Sequence, residues 1–366
     1  MDNRKIVFFM PFIGGGGLEK NLFIVANFFS KKFKKVIICT YSKKYRNKFN
    51  KKITFLNPKL NFSENIGLRI KYLLCLFSLF KFLRQNKNTL VFSFQANIFC
   101  ILVCKLSNIK VIIRGNGSPV GWYNNWNWFY KFLYKKIITL ADSVIVNSLE
   151  FKKQMEKNFK IKVQCIYNPL NINDVIKKSY TGKKDNFFKN KKNVFKIITV
   201  GRLAENKDHI TLLKAANFLK NKINFKILII GRGIEEQNLK KYIQNNNLHN
   251  YVKIKKFLDN PYGVIKQADM MVLSSKYEGL PNVVLEALAL NKFVISSNCP
   301  TGPKEILLNG KGGLLFKVGD HIDLSNKILY YLKNKSKSKK MLNFAKKNLY
   351  RFDYKSNLNM YYDLVR

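Results

Sequence analysis

Ser274-Ser275-Lys276-Tyr277-Glu278-Gly279-Leu280-Pro281-Asn282-Val283-Val284-Leu285-Glu286-Ala287 follows the short apolar run Met270-Met271-Val272-Leu273. That run is bounded by polar residues and predicts a buried parallel strand. Pro281 suits the first turn of a helix, where a missing N–H costs nothing. The helix is apolar on most sides through Val283, Val284, Leu285, Ala287, Leu288 and Leu290, and so is expected to be buried. Glu278 lies in the loop before it and Glu286 inside it. A carboxylate on a buried helix is costly unless something pairs with it, and a helix N-terminus offers unpaired N–H groups to an anion. Strand, Gly turn, helix start and buried acid together point to a nucleotide site.

Further out, the same grammar repeats. Lys5 to Met10 reads as a strand, Gly14 to Gly17 as a loop, and Leu18-Glu19-Lys20 opens a helix with an apolar stripe through Leu22, Val25, Ala26 and Phe29. Such a loop brings backbone N–H groups close to phosphate. It lacks the GxGxxG spacing, so a dinucleotide is not indicated. Further strands are expected at Val36 to Thr40, Thr89 to Phe94 and Lys110 to Ile113. Arg114-Gly115-Asn116 then forms a loop at a strand C-terminus, the place where ligands bind in parallel α/β folds. A second alternation starts at Phe195 to Val200, followed by Gly201-Arg202-Leu203-Ala204-Glu205-Asn206-Lys207. An Arg fork and a Lys point charge after a strand end suit a diphosphate. Strands at Lys226 to Ile230, Val252 to Phe257 and Phe293 to Ser296 complete the pattern.

These motifs, in this order, resemble the retaining nucleotide-sugar glycosyltransferases of family 4, in the subgroup that assembles bacterial surface glycans. The resemblance rests on Glu278-x7-Glu286, on Gly16, Gly17 and Glu19, and on Gly201-Arg202 with Lys207. It extends to Gly231-Arg232-Gly233 and to Cys299-Pro300-Thr301-Gly302-Pro303-Lys304-Glu305-Ile306. It implies an α/β GT-B fold, two Rossmann-like domains whose parallel sheets face across a cleft. Residues 1–170 would form the acceptor-side domain and 171–349 the donor domain, with 177–193 an exposed linker. Residues 350–366 would be a helix crossing back. By the resemblance, Glu278, Arg202 and Lys207 carry the catalysis. Gly16, Gly17, Glu19, Arg114, Asn116, Gly201, Gly231, Phe257, Leu258, Gly279, Leu280 and Glu286 bind substrates, with Phe257 and Leu258 holding the base and Glu286 the ribose. Lys20 stands where many relatives carry Arg. The His that many relatives place in the first domain is absent, since His209, His249 and His321 all lie in the second half. The implied reaction moves a hexosyl or N-acetylhexosaminyl unit from a UDP-sugar to a polyprenyl-diphosphate-linked saccharide at the inner face of the cell membrane. No cofactor and no metal are implied.

Composition bounds the alternatives. The chain carries a net charge of +46, and 58 of its 67 basic residues are Lys. An AT-rich genome accounts for this; so does attraction to an anionic membrane or to phosphorylated substrates. The Lys residues are spread along the chain without an RNA-binding signature or zinc knuckle, so nucleic acid is not the expected partner. A non-catalytic basic protein and a GT-B nucleotide-sugar epimerase are the rival readings. An epimerase needs acid and base groups that the His-free first half does not offer. Six Cys without a CxxC pair read as buried thiols of a reducing, cytoplasmic compartment. Ile66 to Arg84 is an apolar helix edged by basic residues, either core or lying in a membrane interface. Trp122, Trp126 and Trp128 hold every Trp of the chain in one aromatic segment, which reads as core, interfacial belt or sugar platform.

Overall fold

The computed structural model describes residues 2–58, 66–117, 126–188 and 193–366. The chain divides into two compact units, residues 1–169 with 355–366, and residues 170–354.

In the first unit a parallel sheet of seven strands has the order β3-β2-β1-β4-β5-β6-β7. The strands are β1 (Asp2–Phe9), β2 (Phe33–Cys39), β3 (Thr54–Leu56), β4 (Thr89–Ser93), β5 (Lys110–Arg114), β6 (Ser143–Val146) and β7 (Gln164–Cys165). Ile6, Val7, Phe8 and Phe9 are all fully buried. Both faces of β1 are therefore covered, which is why the strand reads as an unbroken apolar run. Helix α1 (Gly17–Phe29) buries Leu22, Val25, Ala26 and Phe29 on one face. There Phe29 stacks on Phe33 and meets Phe8 and Phe92 edge-on. Burying such a side chain contributes about 1.5–3 kcal/mol. On the opposite face α2 (Leu68–Gln85), α3 (Asn97–Leu106), α4 (Trp128–Ile138) and α5 (Leu149–Phe159) share one core with Val7, Phe9, Val91 and Val111. Cys39, Cys75, Cys100 and Cys104 lie in that core as buried free thiols, as expected; Cys165 is half-buried. The C-terminal helix Tyr354–Asp363 joins this unit through the buried Tyr361 and through Tyr362, whose ring meets Phe33.

The second unit holds a parallel sheet of order β10-β9-β8-β11-β12-β13. Its strands are β8 (Phe195–Val200), β9 (Phe225–Ile230), β10 (Val252–Lys255), β11 (Met270–Leu273), β12 (Phe293–Ser297) and β13 (Leu314–Phe316). In both sheets the order reverses between two neighbours, β1 and β4 in one, β8 and β11 in the other. A ligand crevice opens at such a switch point, beyond the strands' C-terminal ends.

Two expectations are corrected. Residues 177–193 do not start as a linker: Lys177 to Thr181 are the last turn of the helix Ile172–Thr181, capped by Asn171, and Phe188 beyond it is 1% exposed. Pro281 is the cap residue before the helix Asn282–Ala289, not its first turn. Among the described residues, no helix is long and apolar enough to cross a membrane.

Candidate active site

At the switch point of the second unit, two loops are stitched together. The loop after β8 ends in a short 3-10 turn, Glu205–Lys207, and the loop after β11 carries Ser274 to Gly279. The Lys276 N–H donates to Asn206 O at 2.9 Å and the Ser274 hydroxyl to Lys207 O at 3.1 Å. At the surface Lys276 Nζ pairs with Glu205 Oε1 at 2.8 Å. These ties hold Lys207 against Glu278: Nζ stands 2.5 Å from Oε1, with side chains only 18% and 9% exposed. Ser275 Oγ donates to the same carboxylate oxygen at 2.7 Å. An ion pair this dry keeps a strong local field, because little water screens it.

A third loop, after β12, supports Glu278 from behind. Thr301 Oγ1 donates to Glu278 O at 2.5 Å and to Gly279 O at 3.1 Å, and the Gly302 N–H donates to Gly279 O at 2.7 Å. Thr301 is fully buried at φ +78°, a region that a β-branched residue rarely enters. Strain of this kind costs about 1–3 kcal/mol and persists only where the surroundings impose it. Ser297 Oγ donates to Ser275 O at 2.6 Å, tying the same loops once more. Burial pushes the neighbouring Cys299 thiol up to about 12, so it stays protonated.

Glu286 lies inside the helix Asn282–Ala289 at 4% exposure, and the Tyr262 hydroxyl donates to its Oε1 at 3.1 Å. The pairing that a buried carboxylate requires comes from a residue 24 positions upstream. Leu280 is buried beside it. Gly201 and Gly231 follow β8 and β9 and continue the ladder, donating to Ile230 O at 3.0 Å and to Lys255 O at 2.9 Å. Phe257 and Leu258 are half-buried after β10, and the Arg232 guanidinium lies 5.3 Å from the Phe257 ring centre. The Arg202 side chain is exposed, while its carbonyl accepts from His209 Nε2 at 3.1 Å.

That bond fixes the His209 tautomer, with the proton on Nε2. Burial depresses its basicity to about 4, the Arg202 carbonyl only partly opposing this. The folded state then keeps His209 neutral while the unfolded chain binds a proton below about pH 6.5. Stability is full above that value and is lost as pH falls toward 4. Between pH 7.5 and pH 5 the wild-type protein should lose about 2 kcal/mol more than His209→Gln in urea unfolding. Parallel pH profiles for the two proteins would refute this origin.

In the first unit the predicted residues fall into two groups. Gly16 caps α1 and Gly17 begins it. Glu19, in its first turn, turns its carboxylate back to accept the Gly14 N–H at 3.1 Å. Gly15 takes φ +85° with the Tyr45 hydroxyl packed where a Cβ would stand, so only glycine fits. The second group differs from expectation. Arg114 is the last residue of β5, not a loop residue, and is 1% exposed. Its Nε donates to Tyr361 Oη at 2.7 Å and Nη2 to Asn168 Oδ1 at 2.6 Å, with Nη1 on Asn116 Oδ1. One guanidinium thus ties β5, the end of the unit's main segment and the C-terminal helix. Asn116 donates to Phe94 O at 2.9 Å. Trp122, Tyr123, Ser118 and Pro119 lie outside the described residues.

Sequence reading missed Ser275, Tyr262 and Thr301. Ser275 and Thr301 stand inside motifs already singled out. For Tyr262 the one available signal was the demand of a buried Glu286 for a partner. Among the described residues, no group of three His, Cys, Asp or Glu is placed to hold a metal.

Two Rossmann-like units, each built on a parallel sheet, have the α/β architecture of the GT-B fold, and the second carries a lysine–glutamate pair at its switch point. The profile of the glycosyl transferases group 1 matches residues 182–348. A glycosyltransferase of Methanocaldococcus jannaschii is 33% identical over 313 residues, 77% of this chain and 73% of its own. The chain belongs to that glycosyltransferase family. A Campylobacter jejuni relative is 26% identical over 369 residues, 96% of each chain. It is named N-acetylgalactosamine-N,N'-diacetylbacillosaminyl-diphospho-undecaprenol 4-alpha-N-acetylgalactosaminyltransferase. The crystal structure of Anabaena HepE in complex with UDP and glucose has the same fold, with a TM-score of 0.80 at 17% identity over 99% of both chains.

Proposed function

We propose that this glycosyltransferase is a retaining enzyme of family 4. In this reading it moves a hexosyl or N-acetylhexosaminyl unit from a UDP-sugar to a polyprenyl-diphosphate-linked saccharide. It would work in surface-polysaccharide assembly at the cytoplasmic face of the cell membrane. The observation that carries the reading is the dry Lys207–Glu278 pair at the switch point, with Glu286 buried on the adjoining helix. The Campylobacter relative's lipid-linked acceptor and the UDP bound to HepE support the choice of substrates.

In the reaction the bond between the anomeric carbon and the donor's phosphate oxygen breaks, and its electron pair leaves with the diphosphate. The acceptor hydroxyl oxygen forms the new bond on the same face, and its proton passes to the departing phosphate. Charge therefore accumulates on the diphosphate in the transition state. Arg202 and Lys207 are the cations assigned to neutralise it. Glu278, held by Ser275 and Thr301, lies beside the donor sugar, and Glu286 accepts from the ribose hydroxyls. Gly201, Gly231, Phe257, Leu258, Gly279 and Leu280 frame the nucleotide. Gly16, Gly17 and Glu19 form the phosphate-side loop of the first unit. Arg114 is assigned as a positioning residue that holds Asn116, because its own donors are engaged inside the unit.

A thermal-shift comparison of UDP, GDP and a random DNA oligonucleotide tests this. At a hundredfold its dissociation constant, UDP should add about 2.7 kcal/mol to stability. Glu286→Ala should lose that shift without unfolding. A shift with DNA alone that collapses as salt rises would make the charge the function instead.

A further inference from the structure

The proposed reaction gives His209 no part, yet its ring is buried beside Lys207 and Glu278, which have one. His209 opens the helix His209–Leu219, two residues after Lys207. That helix buries Leu212, Leu213, Ala215, Ala216 and Leu219 completely, so its start is a fixed point of the second unit. Asp208 before it takes φ +47°, a left-handed turn, and its Oδ2 accepts from Thr211 Oγ1 at 2.7 Å. From this point the imidazole reaches back over the loop, and Nε2 donates to Arg202 O at 3.1 Å. Nδ1 has no hydrogen-bond partner among the described residues, so the ring makes this one bond.

The backbone groups on either side of the Arg202 carbonyl are held by the loop after β9 instead. The Gly201 N–H donates to Ile230 O at 3.0 Å and the Leu203 N–H to Arg232 O at 2.9 Å. Gly231 and Gly233 press close there: a Cβ on the first would collide with Gly201 O, and one on the second with Leu203 O. Between these two carbonyls, that of Arg202 goes to the helix start. The Arg202 side chain is exposed and long, so the reach of its guanidinium depends on where its peptide is held. One imidazole thus spans the two cations assigned to the diphosphate, covalently near Lys207 and hydrogen-bonded to Arg202. Burial keeps the ring uncharged, so it joins them without a third charge that would repel Lys207.

We infer that His209 is a positioning residue: its Nε2–H fixes the Arg202 peptide and, with it, the placing of the Arg202 guanidinium relative to Lys207. It acts through Arg202 and exchanges no proton in the reaction. The inference rests on the roles proposed above for Arg202 and Lys207.

The test is a set of His209 variants assayed with radiolabelled donor sugar, each also melted to check its fold. Gln can place an N–H where Nε2 stands, Asn ends short of it near Nδ1, and Leu fills the space with no donor. His209→Leu and His209→Asn should lower kcat roughly tenfold or more and change the donor KM less than about threefold. His209→Gln should bring the rate back to within about threefold of wild type. In Arg202→Ala, itself slow, adding His209→Leu should lower the rate less than about twofold further, because the group it positions is already gone. Losses that multiply in the double variant would overturn the inference, as would wild-type kcat in His209→Leu. If His209→Leu does not fold, the same cycle with His209→Asn decides. Variants that all melt below the assay temperature, Gln included, would make the ring a packing element and also overturn it. Wild-type turnover in Arg202→Ala would instead break the proposed function, and this inference with it, a failure read without touching His209.

Discussion

Lys207→Met is expected to lower the transfer rate about a thousandfold and to destabilise the protein by about 2–3 kcal/mol. The two effects have different causes. The rate effect follows from charge that builds on the leaving diphosphate, where one well-placed donor is worth about 10²–10³-fold. The stability effect comes from Glu278. Its carboxylate is 9% exposed and takes two donors, Lys207 at 2.5 Å and Ser275 at 2.7 Å. Removing one partner of a buried pair strands the other's charge, a loss of ~3–5 kcal/mol when the pair is fully dry. Because the Lys207 side chain keeps 18% of its surface, the smaller figure applies. The double variant Lys207→Met/Glu278→Gln separates the causes. With no stranded charge it should recover most of the stability and none of the turnover. Urea unfolding and a radiolabelled-sugar transfer assay measure the two. Turnover within tenfold of wild type in Lys207→Met would remove this lysine from the mechanism, and a double variant no more stable than the single would remove the ion-pair account.

Much of this site was legible in the sequence, because a parallel strand writes its burial into consecutive residues. Met270 to Leu273 and Phe195 to Val200 were marked by apolar runs, and both have the predicted limits. The loops that follow them bring Lys207 to Glu278, and the catalytic part proposed for these two and for Arg202 came from the resemblance. What could not be read was pairing over long distances. Tyr262 meets Glu286 across 24 residues, and Tyr361 meets Arg114 across 247. No local periodicity records such partners. Arg114 shows the result: its strand-end position reads as an open ligand loop, yet the C-terminal helix closes over its guanidinium. For α2 the sequence left open which side is covered; Cys75, Leu79 and Leu83 are buried, while Ile70, Leu73 and Phe77 are exposed. An apolar helix has the same composition whether one side or both are covered, and only the packing tells which side was left over.

Gly302→Ala should be nearly as damaging as loss of Lys207, although it removes no functional group. A Cβ at this position would stand 2.1 Å from Gly279 O and 2.7 Å from Leu280 Cα. Both atoms are backbone, so no side chain can swing aside. To reach ordinary contact the two loops must part by about 1 Å, which costs roughly 2–4 kcal/mol. The separation also breaks the Gly302 N–H bond to Gly279 O and pulls Thr301 Oγ1 from Glu278 O. Those contacts fix the Glu278 backbone, so the carboxylate moves with the loop. A displacement of about 1 Å at a reacting centre can cost about a hundredfold in rate. The expected variant is folded at low temperature, melts early, and turns over about a hundredfold more slowly with weakened UDP binding. Gly67→Ala, with open space around its Cβ, serves as the control and should stay within about 1 kcal/mol of wild type. Wild-type turnover in Gly302→Ala would mean that the loop after β12 is not what holds Glu278. Thr301 would then endure its strained backbone for some purpose other than this site.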